Sequence, residues 1–192
     1  MTQQEQLMQD YETLQYEYLA EAEQIFGPKT DYGYLGLAYH KFAPRTLLYS
    51  KDTLTGKNFF MIELYSKAAK DRKDGIFQLS HEVVHLISPV EQVAGNEVNY
   101  LEEGMATYFS KIITERETKD YNFCASAFAK SPKYLKAYML YMSLVEADED
   151  AVKKLRTITP VIANIKPEDF IKAGLKVDEE LIAALLAKFN ID

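Results

Sequence analysis

The sequence predicts an α+β fold in which a small antiparallel or mixed sheet carries helices and the C-terminal half is helical. Three observations indicate this fold: apolar residues at helical spacing near the start, two short β-type segments before residue 66, and successive helical patterns after it. The chain has 192 residues, 47% of them apolar, which is enough for a hydrophobic core. We therefore expect one domain over residues 1–192, with an N-terminal helix over 1–26 and a helical appendage over about 150–192.

The first predicted helix runs over Gln3–Phe26 and is amphipathic. Its apolar residues recur at steps of three and four, and Gly27 and Pro28 end the pattern. The segment contains six acidic residues and no basic one, so it holds nearly all of the chain's net charge of -7. A solvated outer face is the favoured interpretation of this charge, and an acidic docking surface is the alternative.

Strand signals follow this helix. Residues 31–39 mix glycine and tyrosine irregularly, which indicates a loop or a short strand. Residues 46–50 and Asn58–Tyr65 are better strand candidates, and the turn-like sequence KDTLTGK between them predicts an antiparallel hairpin. Later helices are expected over about 76–87, 96–115 and 132–146. A last helix is expected to begin at Asp178.

Composition limits the partners and the compartment. The apolar stretches are far shorter than the roughly 20 residues that cross a bilayer, and the first ten residues lack the basic and apolar order of a signal peptide. The single cysteine, Cys124, lies in an alanine-rich apolar run and is expected to be a buried, inert thiol. The net negative charge argues against nucleic acid. We expect a cytoplasmic protein with no membrane and no nucleic-acid partner.

Two of the three histidines fall in the sequence HEVVH at 81–85. Residues four apart lie one helical turn apart on the same face, so His81 and His85 can both direct an imidazole nitrogen at one metal ion. Glu82 is rotated one step from His81, beside that ion, where it can take a proton from metal-bound water. Two histidines on one helix face can also be a satisfied core pair, so the prediction depends on a third ligand.

Candidate third ligands lie in the sequence YLEEGMATYFS at 100–110. With HEVVH, this segment resembles the zincin metallopeptidases and, within them, the gluzincin group. Glu103 begins a Glu-Gly-x-Ala segment similar to that of aminopeptidase N-type gluzincins, and it also fits the looser Glu-x-x-Ala-x-x-aromatic pattern of smaller zincins. The resemblance implies a Zn²⁺ site of His81, His85 and Glu103. The small residues Gly104 and Ala106 are expected to let this helix approach the active-site helix.

The resemblance leaves alternatives for the third ligand. Seventeen residues separate His85 from Glu103, one fewer than in the aminopeptidase-type spacing. Glu102 is a rival ligand and Glu97 a more distant one, but adjacent helix positions point about 100° apart, so Glu102 and Glu103 are not expected to share one metal. Thr107 stands where the thermolysin-type enzymes have an orienting Asp, which leaves open what orients the imidazoles.

Other residues have weaker signals. Tyr134 begins a segment that resembles the aminopeptidase-type one whose tyrosine stabilises the oxyanion, and Tyr138 is the alternative. His40 is expected to be structural. In zincins an extended substrate pairs with the edge strand before the active-site helix, and Asn58–Tyr65 occupies that place in the sequence. The Gly-x-Met-Glu-Asn signature of aminopeptidases is missing from it, so aminopeptidase activity is not implied.

The resemblance implies a small zinc metallopeptidase, a hydrolase that acts on a peptide or protein substrate. Glu82 would be the general base and then the proton donor to the leaving amine. Two other hypotheses stay open: a catalytically inactive zincin-like binding or regulatory protein, and a fortuitous motif in a helical structural protein. Cleavage specificity and oligomeric state do not follow from the sequence.

Overall fold

The computed structural model describes residues 2–91 and 98–189, and within them the fold is α+β. The elements, in chain order, are α1 (Gln3–Phe26), β1 (Gly33–His40), β2 (Arg45–Lys51), β3 (Asn58–Tyr65), α2 (Arg72–His85), α3 (Tyr100–Thr118), α4 (Tyr121–Ala129), α5 (Pro132–Ala147), α6 (Ala151–Ile158), α7 (Pro167–Lys172) and α8 (Glu179–Leu186). Short 3₁₀ turns occupy Ser66–Ala69 and Ile162–Asn164. None of the described helices is both long and apolar enough to cross a membrane.

The three strands form one mixed sheet in the order β1-β3-β2. β3 pairs antiparallel with β2, which confirms the predicted hairpin. It pairs parallel with β1, so the segment predicted as a loop or a short strand contains a strand over Gly33–His40. The prediction that Asn58–Tyr65 is an edge strand is wrong, because β1 pairs with it on the side away from β2. Phe60, Ile62 and Leu64 of this central strand are buried against the helices. β2 is an edge strand of the sheet instead.

The long helix α1 begins and ends where the sequence predicts. The Thr2 hydroxyl oxygen accepts a hydrogen bond from the Glu5 amide, and Gly27, with a φ of +93°, ends the helix. Its apolar face is buried, while all six acidic side chains are exposed or half-exposed, as a solvated outer face requires. The helix packs so closely on α2 that a Cβ atom at Gly75 would collide with the Tyr11 hydroxyl.

The later helices that the sequence predicts correspond to α2, α3, α5 and α8 and agree with them to within a few residues at their described ends, whereas α4, α6 and α7 were not individually predicted. α2 begins four residues earlier and ends two residues earlier than the predicted 76–87. α3 begins at Tyr100, and the predicted start at residue 96 lies outside the described residues. α8 follows Asp178, whose carboxylate accepts a hydrogen bond from the Leu181 amide at 2.7 Å, as predicted.

The described part of the C-terminal region packs on the same core as the rest of the chain. Its core residues include Val152, Leu155, Ile162, Phe170 and Leu185. Arg156 is 5% exposed, and its guanidinium donates five hydrogen bonds to main-chain oxygens. These acceptors belong to Phe26, Gly27, Pro28, Ile87 and Pro160. The buried cation therefore joins α6 to the chain segments that follow α1 and α2.

Candidate metal centre

α2 presents both histidines of HEVVH to the same cavity. Asp71 caps the helix by accepting hydrogen bonds from the amides of Lys73 and Asp74. The buried apolar residues of the helix are Ile76, Leu79, Val83 and Val84. This packing fixes the rotation of the helix, so that His81 and His85, with side chains only 12% exposed, lie side by side on the face toward α3.

α3 brings two glutamates to these histidines. Asn99 caps the helix by accepting a hydrogen bond from the Glu102 amide at 3.0 Å. Glu102 and Glu103 therefore lie in the first helical turn, where the helix dipole favours negative charge. Both side chains are buried, at 3% and 4% exposure. The rival ligand Glu97 lies outside the described residues.

The side chains of His81, His85 and Glu103 converge on one point. Their candidate ligand atoms all lie within 4.8 Å of one another. His81 Nε2 is 3.3 Å from Glu103 Oε2, and His85 Nε2 is 3.7 Å from Glu103 Oε1. Ligand atoms about 2.0–2.1 Å from a tetrahedral ion lie about 3.3–3.5 Å apart, so these separations fit a common metal. Glu103 Oε2 is also buried without a hydrogen-bond partner among the described residues.

Glu102 contacts a different atom of His85 from the one that Glu103 faces. Its Oε1 atom lies 2.8 Å from His85 Nδ1. Because an ionised carboxylate only accepts, Nδ1 carries a proton and donates it in this contact, so Nε2 is the nitrogen that would bind a metal once its own proton has left. The sequence had left open which group orients the imidazoles. For His85 that group is Glu102, which faces the outer ring nitrogen instead of the metal position.

Three buried carboxylates surround the two imidazoles. Burial alone would lower the pKa of His85, but the hydrogen bond to Glu102 and the charges of Glu103 and Glu82 raise it to about 10. Burial also acts to raise the pKa of Glu103, yet the two imidazoles hold it below its usual range. The raised pKa makes His85 a cation near neutral pH, so its proton balances part of the carboxylate charge in the buried site. A divalent cation that replaced this proton would balance the same carboxylates, so the residues fit a metal by electrostatics as well as by distance.

Glu82 lies beside the candidate ligands His81 and His85 and is 4% exposed. The Thr46 hydroxyl lies 2.9 Å from the main-chain oxygen of Glu82 and 3.1 Å from Glu82 Oε2. The hydroxyl proton can therefore be donated to either of these two oxygens. Burial, reinforced by the negative charge of Glu103, raises the pKa of Glu82 despite the opposing effect of both imidazoles. Thr46 is on β2, and no sequence pattern had connected it with Glu82.

The structure places Tyr134 of α5 at the same site. Its ring lies 5.7 Å from that of His81 and 5.0 Å from that of Phe189, measured between centroids. The Phe189 amide donates to the Val98 oxygen at 2.7 Å, which fixes this ring beside the start of α3. Burial, with the charges of Glu103 and Glu82, raises the pKa of Tyr134, so the phenol keeps its proton. The alternative, Tyr138, packs on Phe128 and does not line the cavity in which these ligands lie.

Gly104 has a different neighbour from the one the sequence suggested. The expectation that it allows α3 to approach α2 is wrong, because a Cβ atom at this position would lie 2.5 Å from the Ala137 oxygen and 2.6 Å from Tyr141 Cβ. Both of these atoms belong to α5. Since Glu103 faces α2, the next residue points about 100° away, toward α5. Gly104 therefore brings α5, with Tyr134, close to the helix that carries Glu103.

A cavity of about 230 Å³, here called the metal cavity, opens at these residues. It is lined by Ala43, Pro44, Arg45, Thr46, His81, Glu82, His85, Pro89, Val90, Val98, Glu102, Glu103 and Tyr134. Two other predicted residues lie elsewhere. His40 is on β1, where its Nδ1 is 4.0 Å from Glu63, and Cys124 is buried in α4, where burial raises the pKa of its thiol to about 11. Neither belongs to the converging group of possible ligands.

Comparisons with known proteins add no family assignment. No protein-family model, no curated protein and no solved structure matches this chain. The resemblance to the gluzincins therefore stays a prediction, supported by HEVVH, by Glu103 and by the contacts between them.

Proposed function

We propose that this chain is a zinc-dependent peptidase of the gluzincin type with a zincin-like fold, which hydrolyses peptide bonds in peptide or protein substrates. The observation that carries the proposal is the convergence of His81, His85 and Glu103 beside the buried carboxylate of Glu82, on the wall of the metal cavity. A buried structural metal site needs no such carboxylate and no opening to solvent.

The donor set supports zinc in particular. Two imidazole nitrogens and one carboxylate oxygen are a ligand set of catalytic zinc sites, which keep their fourth position open. His81, His85 and Glu103 would hold the ion, with Glu102 orienting His85. When bound, zinc supplies Lewis acidity, which lowers the pKa of water to about 7 and polarises a carbonyl oxygen.

Glu82 is the proposed general base. Its carboxylate lies beside the ligands, and its raised pKa brings it closer to neutrality, where a base is most effective. It accepts a proton from the attacking water and then gives that proton to the nitrogen of the leaving amine. The Thr46 hydroxyl, within 3.1 Å of Oε2, holds the carboxylate in place during both transfers.

Tyr134 and β2 are the proposed contacts to the substrate. Tyr134 keeps its proton and lines the metal cavity, so it can donate a hydrogen bond to the oxyanion that develops at the scissile carbonyl. Arg45 and Thr46 of β2 line the same cavity. Because β2 is an edge strand, an extended peptide can pair with its main chain there, in place of the central β3.

Metal analysis and one substitution test this proposal. We expect the purified protein to bind one equivalent of zinc and to cleave members of an unbiased peptide mixture, detected by mass spectrometry. Glu82→Gln is expected to retain zinc and to lose about 10²-fold or more of the hydrolysis rate, because the base is removed and the ligands are kept. Glu115→Gln, about three turns farther along α3 than Glu103, where the side chain pairs with Lys111, is the matched control and should leave both properties unchanged.

Each negative result has a definite meaning. Zinc content below about a tenth of an equivalent after supplementation contradicts the metal site. Full activity of Glu82→Gln contradicts the assigned mechanism. Stoichiometric zinc without cleavage of any peptide instead favours the inactive binding protein.

A further inference from the structure

A second cavity, of about 320 Å³, adjoins the metal cavity. We call it the apolar cavity; it is lined by Ala43, Pro44, Phe77, Gln78, His81, Glu82, Thr107, Ala127, Phe128, Ser131 and Tyr134. Five of these residues also line the metal cavity: Ala43, Pro44, His81, Glu82 and Tyr134. The two cavities therefore meet at a proposed metal ligand, the proposed base and the proposed oxyanion donor.

Aromatic rings give the apolar cavity a fixed wall. Phe77 of α2 packs edge-on against Phe123 at 5.6 Å and lies 6.5 Å from Phe128, between ring centroids. Phe128 is 7% exposed and also packs on Tyr138. Aromatic rings packed against one another in this way have little freedom to move, so the wall is formed before any ligand enters.

The polar residues of this cavity offer little to a charged ligand. The Gln78 side-chain oxygen accepts a hydrogen bond from the Tyr65 amide at 2.7 Å, and its amide nitrogen donates to Asp74. Thr107 and Ser131 are uncharged. No lysine or arginine lines the cavity within the described residues, and Glu82 at the boundary is hydrogen-bonded to Thr46. A charged side chain here would be desolvated without a partner, which is costly.

We propose that the apolar cavity binds a large uncharged apolar side chain, such as that of leucine, methionine or phenylalanine. That side chain belongs to the substrate residue directly beside the scissile bond, because the cavity begins at His81, Glu82 and Tyr134. This inference rests on the proposed peptidase function, because the position of the side chain is defined relative to the bond that the peptidase would cleave. The binding preference itself rests on the cavity wall alone.

Methyl NMR tests the binding preference without any activity. Protein labelled with ¹³C at the alanine methyl groups is titrated with N-acetyl-leucinamide and N-acetyl-phenylalaninamide at millimolar concentrations, the affinity range expected for fragments of this size. The Ala43 and Ala127 methyls, which line the cavity, should shift saturably. The methyl groups of Ala125 and Ala129 are internal controls, because both residues are exposed on α4, the helix that carries Ala127. N-acetyl-lysinamide and N-acetyl-aspartamide should cause no saturable shift.

A substitution tests the same cavity in catalysis. Ala127→Leu fills the space, and we expect it to lower kcat/KM at least about 10-fold for peptides with leucine or phenylalanine beside the scissile bond, with little change for alanine at that position. Ala125→Leu adds the same side chain to the exposed side of α4 and should change neither.

The results separate the two proposals. Saturable methyl shifts without any peptidase activity support the cavity preference and contradict the proposed function. Three results would overturn the cavity proposal and leave the proposed function standing, provided that the protein cleaves peptides. They are equal shifts for all four probes, no shift for any probe, and a side-chain preference that Ala127→Leu does not change.

Discussion

The protein buries charge in two regions, and the two differ in how completely the chain itself compensates it. Around Arg156, five donors meet five main-chain oxygens, so the cation has its full set of partners. Around the metal centre, Glu82, Glu102 and Glu103 are all buried, and among the described residues Glu102 Oε2 and Glu103 Oε2 have no hydrogen-bond partner. A satisfied buried charge indicates a structural role. Buried charge with unsatisfied, converging atoms indicates a ligand.

The largest expected effect is at Arg156. Arg156→Met keeps the length of the side chain but leaves buried carbonyl oxygens without donors, and we expect it to lower the free energy of unfolding by about 3 kcal/mol or more. For a chain of this length the melting temperature should fall by roughly 6 °C or more, measured by circular dichroism. Arg116→Met, which breaks an exposed contact with Glu21, is the control, with an expected loss below about 1 kcal/mol. Equal losses in both variants would contradict the claim that the hydrogen bonds of buried Arg156 stabilise the fold more than an exposed ion pair does.

Zinc should have the next largest effect, since it supplies what the metal centre lacks. At a zinc concentration 100 times its Kd, the metal is expected to raise the free energy of unfolding by about 2.7 kcal/mol. Thermal unfolding with zinc and with a chelator measures this difference. Glu103→Gln should remove most of the stabilisation, whereas Glu115→Gln on the same helix should keep it. Stabilisation that survives Glu103→Gln would place the metal elsewhere.

A smaller effect is expected at Glu102, which contacts the proposed ligand His85 and is not itself a proposed ligand. Glu102→Gln keeps an oxygen that can accept from His85 Nδ1 but removes the negative charge, so zinc affinity should fall about 10–100-fold. Competition with a fluorescent zinc chelator measures this change. Glu103→Gln should weaken binding more, and the opposite order would exchange the roles of the two glutamates.

The smallest effect concerns Cys124, whose buried thiol stays un-ionised. Burial raises the pKa of its thiol to about 11, so at pH 8 very little is the reactive thiolate. Reaction with a thiol reagent should therefore be far slower in the folded protein than in denaturant, and should speed up as the pH rises toward 11. A rate in the folded protein equal to that in denaturant would show that the thiol is accessible and ionised.

These regions also show how far sequence reasoning extends. The pairing of His81 and His85 was predictable because helical geometry fixes which residues share a face, whereas Glu103 was predicted from the resemblance of its segment to those of the gluzincins. The contact between Glu102 and His85 was not predictable. Helical geometry indicates that two adjacent residues do not bind the same metal, but it does not indicate which side chain the second residue contacts. Arg156 had no signal either, because its acceptors are main-chain oxygens from distant parts of the chain.

The fold was predictable to a similar depth. Helices and the hairpin follow from local periodicity, which is why α1 and β3 agree with prediction. The central position of β3 depends on β1, whose irregular glycine-tyrosine pattern contains Gly36 at a φ of +98° and a register shift between Tyr34 and Leu37. The direction of Gly104 toward α5 depends on tertiary packing, which no local pattern encodes.

The packing of the Phe189 ring edge-on against Tyr100 and tilted against Tyr134 has a practical consequence for experiments on this protein. The ring joins the end of the described chain to the wall of the metal cavity, and the Phe189 main chain is bonded to Val98. A bulky group introduced at Phe189 would displace a ring that packs against the proposed oxyanion donor. A spectroscopic label is therefore better attached at an exposed position of α1 than at Phe189.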